Sequence, residues 1–259
     1  MRPQGITTKR CGGLFVGFLM AVLSCLAQPK EEDRNPPLSP TEGLRVGRAL
    51  VADLWSRRPT ENSTNTGTVR VRDAKGKKVE TSVRFSVFST STNWVSVYET
   101  APTNHPENAE RLTVVHHSEG PSDYVLTRPA SNAAASTTLT GPQIMVPFAG
   151  SDFWVADLGL EFLRWPAPRV LRREMRKGRA AQVLEARNPQ ANPAGYSRVV
   201  AWMDTETGGV LHADAYDAKG ELLKVFDPTG VRKHELEEME MRNLRTDSHT
   251  WIKFDLAGR

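Results

Sequence analysis

The side chains able to do chemistry are few and scattered. His116-His117 is the sole adjacent histidine pair. Neighbours on a strand point to opposite faces, so the two cannot readily share one metal ion. His105, His212, His234 and His249 add no HxxxH or HxH spacing, and no metal site is expected. Asp152 and Asp157 could suggest paired carboxylates for acid/base work. Five positions apart on a helix they diverge, and Asp152 at a first turn has a capping role to fill. Asp204 and Asp217 precede Gly-containing turns, where an Asx hydrogen bond to the backbone accounts for them. The chain lacks G-x-S-x-G, a P-loop and G-x-G-x-x-G, so the expectation is a protein without catalytic residues or cofactor.

Apolar chemistry is better represented. Phe153, Trp154, Leu158, Phe162, Trp165 and Met145 stand near one another in sequence, and Trp202-Met203 lie in a later run. Such residues can pack a core or line an adaptable apolar cavity. In Tyr196–Asp204, Val199, Ala201 and Met203 share one strand face and Val200 with Trp202 the other. One face is expected to meet a cavity and the other a covering layer. Phe153, Trp154, Leu158, Phe162, Val199, Ala201 and Met203 are therefore the candidate ligand-binding residues.

These positions need a scaffold, and the hydrophobic period supplies one. Leu44, Ala49-Leu50 and Leu54 recur at helical spacing, with Thr41 as the expected N-cap and Pro59 beyond the end. Thr68–Arg72 and Val79–Phe88 alternate about Asp73-Ala-Lys-Gly76, as a hairpin does. Trp94–Tyr98, Leu112–His117, Tyr124–Thr127 and Ile144–Val146 read as further strands, with Ala130–Thr140 as a mobile loop. Residues 151–163 read as a lid helix capped by Ser151 or Asp152. Seven strand-like runs follow, from Leu171–Met175 to Thr250–Leu256, with a second Asp-Ala-Lys-Gly turn at 217–220. The fold class is mainly β (α+β): a strongly curved antiparallel sheet or incomplete β-barrel, with helices on its concave face.

The first 27 residues have the layout of an export signal: Arg2, Lys9 and Arg10, the apolar run Leu14–Leu23, then small residues. Cleavage after Ala27 would release a soluble periplasmic protein. Alternatively Val22-Leu23-Ser24-Cys25 serves as a lipobox and Cys25 is lipidated, anchoring the protein to a membrane. Residues 28–40 are Pro-rich and charged, as a flexible linker is, and 41–259 form one domain. The 259-residue chain has 34 basic and 30 acidic residues, for a net charge of +4. Removing the signal leaves 31 against 30, so the basic character resides largely in the signal. With no long basic tract and no recognition motif, nucleic-acid binding is not expected. The only cysteines, Cys11 and Cys25, lie in the signal, which excludes a disulfide framework.

Gly150-Ser-Asp-Phe-Trp-Val-Ala-Asp-Leu158 resembles the G-S-D-F-x-x-x-D-L string of the bacterial outer-membrane lipoprotein-sorting proteins, the LolA/LolB-like superfamily. Tyr196–Thr207 followed by Ala215–Phe226 is similar to that family's strand-turn-strand block. The resemblance covers most of residues 40–256 and is carried mainly by those after 140. It implies an incomplete barrel whose concave side holds acyl chains of lipoproteins or lipids, non-covalently, in a monomeric carrier with a possible envelope membrane protein as partner. The chain is longer than the classical carriers at both ends of the sheet. A cell-envelope interaction or structural module built on the same sheet is the alternative.

Overall fold

The computed structural model describes residues 36–102, 106–130, 134–191, 193–232 and 235–255. The chain enters by α1 (Pro40–Ser56) and then runs through β1 (Ser63–Arg72), β2 (Lys78–Ser89), β3 (Asn93–Ala101), β4 (Arg111–His117), β5 (Asp123–Pro129) and β6 (Ala134–Leu139). A connecting segment holds the short helix α2 (Val155–Leu158) between 3₁₀ turns at Gly141–Ile144 and Glu161–Arg164. Seven strands complete it: β7 (Arg169–Arg176), β8 (Arg179–Arg187), β9 (Arg198–Asp204), β10 (Val210–Tyr216), β11 (Leu222–Arg232), β12 (Glu235–Asn243) and β13 (Ser248–Asp255).

All thirteen strands form one antiparallel sheet in the order β6-β5-β4-β3-β2-β1-β13-β12-β11-β10-β9-β8-β7. Consecutive strands pair throughout except β6 and β7, which lie at opposite edges, and β13 returns to pair with β1, Val69 opposite Ile252. That pairing joins two meanders into one curved surface. β6 and β7 remain as free edges, so the barrel is incomplete, as expected. The turns follow local chemistry. Asp73 Oδ1 accepts the Lys75 and Lys77 N–H groups, each at 2.9 Å, and Asp217 Oδ1 accepts those of Lys219 and Glu221 at 2.9 and 3.0 Å. Gly76 and Gly220 close the two turns at φ 79° and 82°, where L side chains are strained.

Two apolar clusters share the concave face. Val69, Val83, Leu112, Val114 and Leu126 pack with Met239, Met241 and Ile252 against Ile144–Leu158. Leu184, Ala186, Val199, Ala201 and Met203 pack with Val46 of α1 and with Leu163 and Trp165. Gly43 and Gly47 let α1 approach closely. A Cβ on Gly47 would lie 2.3 Å from the Pro168 carbonyl oxygen, and one on Gly43 2.5 Å from that of Val170.

Several elements differ from expectation. Ser39, not Thr41, is the N-cap of α1 and accepts the Glu42 N–H, while the Leu38 N–H pairs with Leu171 O at 2.8 Å. The end of the expected linker is thus tied to the β7 edge. Ala134–Leu139 is a strand rather than a loop: its small, exposed residues have no alternation, and β5 supplies the pairing. Ile144 ends a 3₁₀ turn in place of a strand. The 151–163 helix contracts to Val155–Leu158, since Trp154 is extended and bridges Pro147, and Leu160 turns left-handed at φ 52°. Nearly every residue of Ser151–Leu158 is buried, so its apolar spacing reflects burial on all sides rather than a helical stripe.

The convex face of β9 is covered without a second layer. Val200 and Trp202 pack with Ala181 and Val183 of β8. Trp202 Nε1 donates to Glu174, and Arg176 lies 4.9 Å from the Trp202 ring. Long side chains of β7, reaching across β8, shield the ring by laying their methylenes over it.

Candidate functional site: an apolar cavity under the curved sheet

Strands β9 and β10 bring alanines together on the concave face, Ala201 opposite Ala213. These small side chains leave space that larger neighbours do not fill. The result is a cavity of about 620 Å³, within the usual range for ligand pockets. Its sheet side is formed by Val199, Ala213, Ala215, Phe226, Met239 and Phe254, and its cover by Phe153, Leu158, Leu160, Phe162 and Trp165. The cavity reaches the surface near the β7–β8 and β9–β10 hairpins, where Lys177, Arg179, Thr207 and the exposed Leu236 border it. The bordering charges are neutralised locally. Lys177 pairs with Asp227 at 3.1 Å, and Arg179 with Asp204 at 2.5 Å and Glu206 at 3.1 Å.

At the inner end, polar groups clamp the cover to the sheet. Lys224 of β11 has no exposed surface, and its Nζ donates to Asp152 O at 2.6 Å. The ammonium stands 3.7 Å from Asp157 Oδ2 and 3.5 Å from the Trp154 ring centroid. Asp157 Oδ2 also accepts the Trp154 N–H at 2.7 Å and the Tyr196 hydroxyl at 3.0 Å. Burial pushes Lys224 down to about 8 against the pull of Asp157 and Asp152, and it pushes the Asp157 carboxyl upward against the pull of Lys224. Asp152 does not cap a helix. Its carboxylate accepts the Ser248 and Thr250 hydroxyls at 2.5 and 2.8 Å and so fastens the cover to β13. The two carboxylates diverge as expected, that of Asp152 toward β13 and that of Asp157 toward Lys224 and Tyr196, and Lys224 joins Asp157 to the Asp152 backbone carbonyl.

Of the candidate ligand-binding residues, Phe153, Leu158, Phe162 and Val199 line the cavity. Trp154, Ala201 and Met203 lie in the core beside it, and Trp154 stacks on Tyr196 at 4.6 Å. Cys25, His105 and His234 fall outside the described residues. Sequence reasoning missed Lys224, although a lysine inside the apolar run Leu222–Phe226 is a visible anomaly. Tyr196 and Ala213 were equally unmarked.

The histidines have structural settings. His116 is buried, stacks on Trp94 at 4.8 Å and meets Ser96 Oγ at 3.1 Å. No carboxylate orients its other nitrogen, which lacks a partner. His117 faces away and pairs with the Asp123 carboxylate at 2.8 Å. Asp204 and Asp217 form the expected Asx turns. Among the described residues no group of three His, Cys, Asp or Glu side chains could hold a metal ion, and no helix is long and apolar enough to cross a membrane.

Solved structures with this sheet include a domain described as outer membrane lipoprotein-sorting protein from Vibrio parahaemolyticus, 20% identical, with TM-score 0.67, covering 84% of this chain and 92% of that one. A DUF1329 family protein from Desulfovibrio piger is 19% identical with TM-score 0.67, over 82% of this chain and 91% of its own. A LolA superfamily protein from Nitrosomonas europaea is 15% identical with TM-score 0.54, over 81% and 91% respectively. At these identities the likeness is one of fold. No curated protein matches the sequence. A family model described as "Uncharacterized protein" matches residues 111–257, more than half of the chain. The chain belongs to that family, and its fold is the open barrel of the lipoprotein-sorting and LolA-superfamily structures.

Proposed function

We propose that the protein is an exported carrier that holds the acyl chains of a lipid or lipoprotein in the cavity beneath the sheet and releases them without covalent chemistry. The observation that carries this reading is the 620 Å³ space lined by Val199, Ala213, Ala215, Phe226 and Met239 and reaching the surface at one end. Each methylene transferred from water into such a space gains about 0.8 kcal/mol, so apolar volume alone supplies affinity. The fold shared with a lipoprotein-sorting domain supports the same reading. A cell-envelope interaction module is the rival, favoured by the exposed β6 edge, whose backbone could pair with a partner strand.

The deciding experiment is mass spectrometry of organic extracts of the purified protein, combined with titration of a fluorescent fatty-acid probe. Co-purified lipid and a saturable probe are expected, with Ala213→Phe weakening the probe at least about tenfold by filling the cavity. No extracted lipid together with no probe binding would leave the interaction module. Export by signal cleavage and anchoring through Cys25 are separated by fatty-acid labelling in cells, because Cys25→Ser removes the label only from a lipoprotein.

A further inference from the structure

A second cavity of about 580 Å³ adjoins the first. The 3₁₀ segment Glu161–Arg164 is the partition. Phe162 faces the acyl cavity, Glu161 and Arg164 face the second space, and Trp165 lines both. The opposite wall is α1, through Arg48 and Trp55.

Two cations therefore border this space, and among the described residues neither forms an ion pair within 4.0 Å. Arg164 is the more constrained. It lies 3.4 Å from the Trp55 ring centroid, its Nη2 donates to His117 O at 2.5 Å, and its Nε is enclosed without a partner, as is Trp55 Nε1. Burial lowers the pKa of this guanidinium. The only carboxylate lining the space, Glu161, is engaged with the Tyr124 hydroxyl at 2.8 Å, and burial raises its pKa. His116, in the same aromatic stack, is pulled down to about 4 by burial and by Arg164, and so adds no charge at neutral pH. Glu161 acts on this guanidinium through space without forming an ion pair, and an anion set directly against a half-buried guanidinium would complete its charge balance. With Nη2 held by His117 O and Nε enclosed, Nη1 is the guanidinium nitrogen left to meet an oxygen of a carboxylate or phosphate group.

We propose that this second cavity is an oxyanion site, in which Arg164 and Arg48 together bind a carboxylate or phosphate group. The oxyanion is either a free solute or the head of an amphiphile whose chain occupies the first cavity past Trp165. Only the headgroup source rests on the carrier reading; the anion site itself does not.

The test is titration of the purified protein with inorganic phosphate, against chloride at constant ionic strength, following tryptophan fluorescence and the Arg164 Nε–H resonance. Saturable binding is expected, weakened about tenfold or more by Arg48→Gln and by Arg164→Gln, each of which removes one of the two charges. Arg48 is exposed, so its variant retains the fold if stacking at Trp55 makes Arg164 variants unstable. Decyl phosphate that binds more tightly than phosphate and displaces a fatty-acid probe identifies a headgroup. Phosphate that binds without displacing the probe identifies a free solute. A phosphate response equal to that of chloride with no binding of decyl phosphate overturns the site, as does unchanged affinity in folded variants. Either result leaves probe binding in the first cavity, and with it the carrier reading, intact.

Discussion

At the scale of residues, buried ionisable groups govern the response to pH and to substitution. His116 is neutral in the fold because burial, and then the nearby Arg164 charge, lowers its pKa from 6.5 to about 4. Its contribution to stability is complete above 6.5 and is lost as pH falls toward 4, an effect of about 3 kcal/mol at 1.36 kcal/mol per unit. His212 behaves oppositely. Burial disfavours its charge, but hydrogen bonds to Asp214 and Asp227 at 3.0 and 2.9 Å outweigh this and raise its pKa. That contribution is complete below 6.5 and is lost as pH rises through the raised value. Urea unfolding across pH 4–9 should show a stability maximum near neutrality. His116→Phe should flatten the acid limb and His212→Gln the alkaline one; unchanged slopes would mean the titrating groups lie elsewhere. Lys224→Met should cost about 3–5 kcal/mol, since it leaves the Asp157 carboxylate buried without its cation. The double variant Lys224→Met/Asp157→Asn should recover part of that loss in the same denaturant titration. These settings were hard to foresee because a strand position reveals a face, not the partner packed onto it. Lys224 and Asp157 are 67 positions apart in sequence and meet only when the cover folds over the sheet.

At the scale of elements, the cover is held by contacts between distant segments. α1 rests on β7 and on Pro168 through glycines, and an added methyl decides the outcome there. Alanine for glycine inside a helix normally gains about 1 kcal/mol. At Gly47 the new Cβ would stand 2.3 Å from a carbonyl oxygen, so Gly47→Ala is expected to lower stability by about 1–3 kcal/mol, measured by thermal unfolding. A rise in melting temperature would mean that α1 can slide along β7 at little cost. The segment before α2 is fixed by Trp154, which stacks on Tyr196 and lies beneath Lys224 rather than in the cavity. Trp154→Ala should therefore cost about 3–5 kcal/mol in unfolding while leaving fatty-acid probe affinity of the folded fraction within a few-fold of the parent. The sequence places these elements more reliably than it types them. Strands with alternating faces and the Asp-Ala-Lys-Gly turns were legible, because period and turn chemistry are local. The 151–163 segment was not, because burial on every side produces apolar spacing that any period can fit.

At the scale of the whole molecule, one topological event makes the cavity. The two meanders, β1–β6 and β7–β13, would each be open sheets, and the pairing of β13 with β1 bends them into one surface with a shared concave side. Both apolar clusters then face inward and the alanines of β9 and β10 leave the space between them. Filling that space tests its purpose: Ala213→Phe should reduce probe binding with little change in melting temperature, whereas a packing role for Ala213 would make both fall together.

The sequence alone determined an all-antiparallel β architecture, its hairpin turns, an amphipathic first helix and an unusual concentration of aromatics around 150–165. These properties follow from periodicity, turn stereochemistry and composition, which act over a few residues. The tertiary structure decided which apolar side chains pack and which border empty space, separating Trp154, Ala201 and Met203 from Phe153, Leu158, Phe162 and Val199. It also decided that Lys224 should meet Asp157 and that, among the described residues, Arg164 should form no ion pair within 4.0 Å. Those outcomes depend on strand order and on where the connecting segment crosses the sheet, which no local pattern encodes.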